Sequence, residues 1–175
     1  MRSGLLLRGH DMNKSVLQEE IKQDKPFGSP EEEAFLNVMR TCGILVGRVS
    51  KILKEHGVTQ PQYNILRILR GSRKQGLPCL EIAGRMVTRE PDITRLLDRL
   101  EKSGYVMRVR STEDRRVVIV KITSKGVKLL DGLDLPVSKT LEQSLGHLNR
   151  EELKDINHLM VKARSSFGEE QHMDG

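Results

Sequence analysis

ITRLLDRLEKSGYVMRVRSTEDRRVVIVKITSKG, residues 93–126, carries a helical period, a glycine stop and two alternating runs separated by a polar tip. Ile93, Leu96, Leu97 and Leu100 fall at i, i+3, i+4 and i+7, which predicts an amphipathic helix over about 91–103 with one apolar stripe. Its opposite face holds Pro91, Thr94, Arg95, Asp98 and Lys102. Thr88 is the expected N-cap and Pro91 suits the first turn. Gly104 stands where a C-terminal cap needs positive φ. Tyr105 to Arg110 alternate as a strand does, Ser111 to Arg115 make a turn, and Val117 to Ile122 return, with Val118, Val120 and Ile122 expected to face inward.

The charge of the chain is concentrated around this stretch. Between Arg85 and Lys128 stand twelve Lys and Arg against six acids, an excess of six that equals the net charge of all 175 residues, +6. The remainder is balanced. A basic excess confined to one segment is the footprint of a surface that meets polyanionic phosphate.

Outward from this stretch, the body starts at Ser29, where Ser29, Pro30 and Glu32 make a capping box with proline in the first turn. A long helix follows from Glu31 to His56. Phe35, Met39, Cys42, Val46, Val49 and Leu53 form one apolar line and Val38, Leu45 and Ile52 a second, so this helix needs two partners. Thr59 and Gln62 form another capping box, and Tyr63, Ile65, Leu66, Ile68 and Leu69 fill a helix that Gly71 is expected to stop. Ser72 to Pro78 is a basic loop offering Arg73 and Lys74 to phosphates, and Leu80 to Met86 reads as a short helix. After the hairpin, Thr123 or Ser124 caps a long helix through His147, with Val127, Leu130, Leu133, Val137, Leu141 and Leu145 on its stripe and Pro136 inside it as an expected kink. Asn149 and Glu152 open a last helix. Helix, helix and two-stranded hairpin with a charged tip outline a winged helix-turn-helix, which sets a helix in the major groove and the wing against the minor groove or backbone.

The same stretch resembles the signature of the MarR-type (multiple antibiotic resistance regulator) transcription factors, in which a recognition helix runs into a wing marked D-x-R and a Thr closes it. Asp114, Arg116 and Thr123 occupy those places, and the resemblance covers about residues 29–165. It implies a homodimer on a pseudo-palindromic operator of double-stranded DNA, acting as a repressor and released by a small aromatic or phenolic ligand or by oxidation. Peroxide-sensing relatives carry a reactive Cys near the start of the first long helix with Tyr partners. That helix contains no Tyr here.

The expected fold class is mainly α (α+β): a winged helix-turn-helix with flanking N- and C-terminal dimerisation helices. The divisions are a partly disordered arm over 1–28, a dimerisation helix over 29–57, the DNA-binding domain over 58–123, dimerisation helices over 124–166 and a flexible tail over 167–175. Met12 offers a second start. Expected DNA contacts are Arg89, Pro91, Asp92, Thr94, Arg95, Arg99, Arg115 and Arg116, with Asp114 structuring the wing. Thr94 and Arg95 suit base reading, because Arg donates twice to guanine O6 and N7 and Thr meets a thymine methyl. Asp92 departs from the small hydroxyl residue common in the family; a carboxylate there repels phosphate but accepts from cytosine N4.

The bland alternative for these arginines is a solvated helix face, and for the chain as a whole a protein-interaction module without specific DNA binding. Cys42 on the apolar stripe reads as a buried structural thiol, while Cys79 near a helix start is the weaker redox candidate. The five His show no ligand spacing, so no metal is expected, nor any cofactor. No nucleophile motif suggests an enzyme. Two Cys and no long apolar run suggest a cytoplasmic protein without a membrane span.

Overall fold

In a computed structural model of the chain, residues 14–72 and 75–165 are described. In order they form α1 (Val16–Ile21), α2 (Pro30–Glu55), α3 (Gln60–Gly71), β1 (Leu77–Pro78), α4 (Cys79–Gly84), α5 (Ile93–Lys102), β2 (Val106–Arg110), β3 (Val118–Ile122), α6 (Ser124–Leu145) and α7 (Arg150–Ser165). The chain divides into two compact units, Met1–Ile44 and Leu45–Gly175. Arg73, Lys74 and the expected tail lie outside the described residues, as does the first part of the arm.

In the first unit, α1 stands within the arm where no element was expected. Six residues are too few to display a helical period, and its signal is local. Ser15 accepts from the Gln18 N–H at 3.4 Å while the Gln18 carboxamide accepts from the Ser15 N–H at 2.9 Å, a complete capping box. The Ser29 box is only half made. Ser29 Oγ accepts from the Glu32 N–H at 3.2 Å, but the Glu32 carboxylate turns to the Gly28 N–H at 2.6 Å. Phe35, Val38, Met39 and Ile44 are exposed. Cys42 is exposed with them, which corrects the buried thiol expected from its place on the stripe: that face is turned outward.

In the second unit, α3 is the hub, packing on α4, α5, α6 and β3. One core runs through Leu53, Val58, Tyr63, Ile65, Leu66, Leu69, Leu77, Ile82, Leu97, Leu100, Val106, Val120, Leu130, Leu133 and Val137. Leu, Ile and Val supply nearly all of it. Gly57, at φ +73°, ends α2, and the Thr59–Gln62 box opens α3. Gly71 lies inside α3 and does not stop it. The cap is Ser72, whose hydroxyl donates to the Leu69 carbonyl at 2.8 Å.

The sheet is antiparallel in the order β1-β3-β2, with Leu77 opposite Val120, Val106 opposite Ile122 and Arg110 opposite Val118. The two-residue β1 is too short to announce itself in a sequence. Gly76 precedes it at φ +72°, where an added Cβ would lie 2.5 Å from the Val120 carbonyl oxygen, so glycine alone fits. Val120 is buried and Ile122 half-buried, but Val118 is 44% exposed, contrary to the inward position expected. Alternation assigns it to the core face, yet the core ends before the hairpin tip.

Thr123 caps α6 by accepting from the Gly126 N–H at 3.1 Å. Leu130, Leu133 and Val137 are buried beneath α6, which contains Pro136 and ends at Leu145 with Gly146 as cap. Arg70 grips Asp134 through two bonds of 2.8 Å, joining α3 to α6. Those bonds hold the Asp134 carboxyl below its usual range. Asn149 and Glu152 cap α7 reciprocally, at 3.0 and 2.7 Å, yet α7 buries none of its residues. Among the described residues no helix is long and apolar enough to cross a membrane.

Leu133 is fully buried in this core and Leu80 is 85% exposed. Leu133→Ala should cost about 2–5 kcal/mol in a denaturant titration, and Leu80→Ala no more than about 0.5 kcal/mol. Equal losses would mean that the core does not lie where α3 and α6 meet.

Candidate nucleic-acid interface

The segment between α4 and α5 is short, polar and held from behind. The Asn64 carboxamide on α3 accepts the Val87 N–H at 2.9 Å, so a side chain satisfies a turn amide that has no helical partner. This buttress was not anticipated from sequence, where an Asn in mid-helix carries no distinctive signal. Arg89 and Pro91 are exposed in this turn.

Asp92, not Thr88, is the N-cap of α5. Its Oδ1 accepts from the Arg95 N–H at 3.2 Å, while the Thr88 hydroxyl meets Glu90 Oε1 at 3.4 Å. Pro91 therefore precedes the helix. Aspartate satisfies an orphan amide and places negative charge at the positive end of the helix dipole, which makes it the better cap. The second oxygen, Oδ2, lies 3.2 Å from Arg95 Nε. Leu97 and Leu100 are buried and Ile93 and Leu96 half-buried, so Thr94, Arg95, Asp98, Arg99 and Lys102 form the exposed side.

The wing is bolted to this helix. Arg108 on β2 binds Asp98 at 2.7 Å and Glu101 at 2.6 Å, and its N–H donates to Glu101 Oε1 at 3.0 Å. Burial works against the guanidinium charge, but the hydrogen bonds it donates to Asp98 and Glu101 outweigh that and raise its affinity for the proton. At the hairpin base, the Thr123 hydroxyl donates to the Gly104 carbonyl at 2.7 Å, and Lys125 donates to the Ser103 carbonyl at 2.8 Å with its ammonium 5.0 Å from the Tyr105 ring centroid.

At the tip, Asp114 structures the turn through backbone. Its Oδ1 accepts from the Arg116 N–H at 2.9 Å and its carbonyl from the Val117 N–H at 2.9 Å, while Ser111 Oγ receives the Glu113 and Asp114 amides. Arg115 and Arg116 are exposed at this tip, with no ion pair to any described residue. Neither arginine forms an ion pair with the neighbouring Glu113 or Asp114.

The basic excess is accordingly sorted into two groups. Arg85 pairs with Glu81, Arg95 with Asp92, and Arg108 with Asp98 and Glu101; Lys125 serves the end of α5. Arg89, Arg99, Lys102, Arg110, Arg115, Arg116 and Lys128 are exposed, and Lys121 half-buried, without an ion pair among the described residues. Nor do the described residues contain a group of His, Cys, Asp or Glu arranged to hold a metal.

If Arg108 fastens the wing, Arg108→Gln should destabilise the fold by about 1–2 kcal/mol, allowing for its partial exposure. Arg99→Gln, on a solvated face, should change stability by less than about 0.5 kcal/mol. Chemical denaturation of both variants checks this, and equal stability of the two would remove the clamp.

Comparison with known proteins agrees with this geometry. The sequence profile of the MarR family matches residues 58–118. The chain is 36% identical over 145 residues to the uncharacterized HTH-type transcriptional regulator YfiV of Bacillus subtilis, covering 81% of this chain and 84% of that protein. A MarR transcription factor from Planctomyces limnophilus is 41% identical in crystal structure, with a TM-score of 0.60 over 78% of this chain and 98% of the other. NadR, crystallised in complex with 4-hydroxyphenylacetate, is 25% identical with a TM-score of 0.64, over 79% and 97%. A winged helix-turn-helix with this wing and these relatives places the chain in the MarR family of DNA-binding transcriptional regulators.

Proposed function

We propose that this protein is a cytoplasmic homodimeric repressor that binds a pseudo-palindromic operator in double-stranded DNA and is released by a small aromatic or phenolic ligand. The observation that carries the DNA reading is the exposed side of α5, where Thr94, Arg95 and Arg99 stand on a helix braced by a wing whose tip presents Arg115 and Arg116. Thr94 and Arg95, in the first turn, read base edges in the major groove. Arg99 and the turn residues Arg89 and Pro91 lie along the phosphates, and the wing arginines enter the minor groove. Asp114 keeps the tip in shape.

Dimerisation is supported by apolar surface that the chain leaves uncovered. Leu135 and Leu141 on α6 and Ile156, Leu159 and Val161 on α7 are exposed, as are Phe35, Val38 and Met39 on α2. Apolar side chains left exposed along helices mark association surfaces, and a two-fold axis would match two half-sites about one helical turn apart. Repression needs only occupancy, because a dimer lying across a promoter excludes polymerase by volume. The 4-hydroxyphenylacetate bound to NadR supports a phenolic effector.

Two measurements test the reading. Arg95→Ala should weaken binding to a duplex selected by the wild-type protein from a randomised library by roughly 1–3 kcal/mol, and binding to random duplex much less. Equal loss on both would reduce Arg95 to a phosphate contact. Replacing Arg115 and Arg116 together by Ala should leave folding unchanged but make the slope of log affinity against log salt shallower by roughly 2 per dimer. An unchanged slope and affinity would confine the wing arginines to the hairpin.

A further inference from the structure

The pair Asp92–Arg95 has a geometry that neither capping nor phosphate attachment requires. Capping uses one carboxylate oxygen, Oδ1, on the Arg95 amide; the other, Oδ2, takes Arg95 Nε at 3.2 Å. One carboxylate thus holds both ends of the same residue, its backbone and its guanidinium. Arg95 is nonetheless 77% exposed along its side chain. With Nε turned to this carboxylate as an ion pair, neither terminal nitrogen has a partner among the described residues, and they are the two donors that an end-on bidentate contact with guanine O6 and N7 needs.

We infer that Asp92 is a positioning residue for base recognition: it fixes the Arg95 guanidinium in an end-on orientation toward a guanine and itself contacts no base. The inference rests on the reading of Arg95 as a base contact. An exposed i, i+3 ion pair contributes little to folding, because water screens it and holding two long side chains still opposes it. Once DNA covers the site that balance changes. The screening water leaves, and an arginine already held in one rotamer loses less freedom on binding. A carboxylate at this place also repels phosphate, so it lowers affinity for DNA that offers no guanine in register. Asp92 therefore raises discrimination by acting on both sides of the comparison, supporting the right contact and opposing the wrong one.

The test is a double-mutant cycle in the full-length protein with Asp92→Ser, Arg95→Ala and the pair together. Serine keeps a capping oxygen and deletes the carboxylate, and Asp92→Asn repeats the test with the shape preserved. The probes are the library-selected duplex, the same duplex with 7-deazaguanine at each guanine in turn, and a random duplex. Asp92→Ser should lose affinity for the selected duplex on the order of tenfold and bind random duplex as well as or better than wild type. That loss should vanish in the Arg95→Ala background. The one 7-deazaguanine position that weakens wild type should no longer weaken either single variant. Selected-duplex binding equal to wild type in both Asp92 variants would leave the residue only a cap, and a loss that persists without Arg95 would make Asp92 a direct contact, as on cytosine N4. Either result overturns the inference while Arg95 still reads a base. If Arg95→Ala itself binds the selected duplex as wild type does, the base-reading assignment falls and the inference with it.

Discussion

The place of the wing against α5 depends on one guanidinium. A two-stranded hairpin is marginal by itself, and a wing free to pivot would carry its tip arginines through a wide arc. Arg108 removes that freedom by binding Asp98 and Glu101 on adjacent turns of α5 while its own amide donates to Glu101. The Thr123 hydroxyl on the Gly104 carbonyl closes the same joint at its base. Helix and wing are thereby held in one relative position, the condition for two separated groups of side chains to meet DNA in one register.

The clamp also decides what charge that surface shows. Asp92, Asp98 and Glu101 lie on or beside α5 and would repel a phosphate backbone if left alone. Two arginines answer them, Arg95 beside Asp92 and Arg108 across both Asp98 and Glu101, which offsets two of the three negative charges. The cations left outward without an ion pair among the described residues are Arg99 and Lys102 on the helix and Arg110, Arg115 and Arg116 on the wing, where Glu113 and Asp114 are the exposed acids. The segment's net excess could be counted from the sequence, but which cations are spoken for depends on distances that only the fold supplies.

The winged fold was legible because its signals are local and repeated. The stripe Ile93, Leu96, Leu97 and Leu100, the Thr59–Gln62 and Asn149–Glu152 boxes and the glycine at 104, observed at φ +73°, each write a structural instruction within a few residues. The misses share the opposite property. Strand β1 exists only because β3 is there to pair with it, and Val118 is exposed because the core stops short of the tip, which strand alternation does not encode. Thr88 lost the cap to Asp92 because both are good capping types, and only the observed backbone decides between them. Cys42 shares a periodic stripe with buried Leu53, but periodicity says which residues share a face and not what covers it. Among the candidate contacts, position was legible and partnership was not: Arg95 and Arg108 look alike in sequence, yet one stands 77% exposed and the other is clamped.

The small sheet has two open edges, and an open edge is a template on which another chain can add a strand. On one side β1 is two residues long and ends in Pro78, which has no N–H to offer, so little backbone is left to pair. On the other side β2 carries Arg108 on the same face as the buried Val106, a charge turned toward the helix and satisfied only by Asp98 and Glu101. An incoming strand that displaced α5 would strip that arginine of its partners and leave its charge stranded. The clamp that holds the wing against α5 thus also makes that edge costly to recruit as a template.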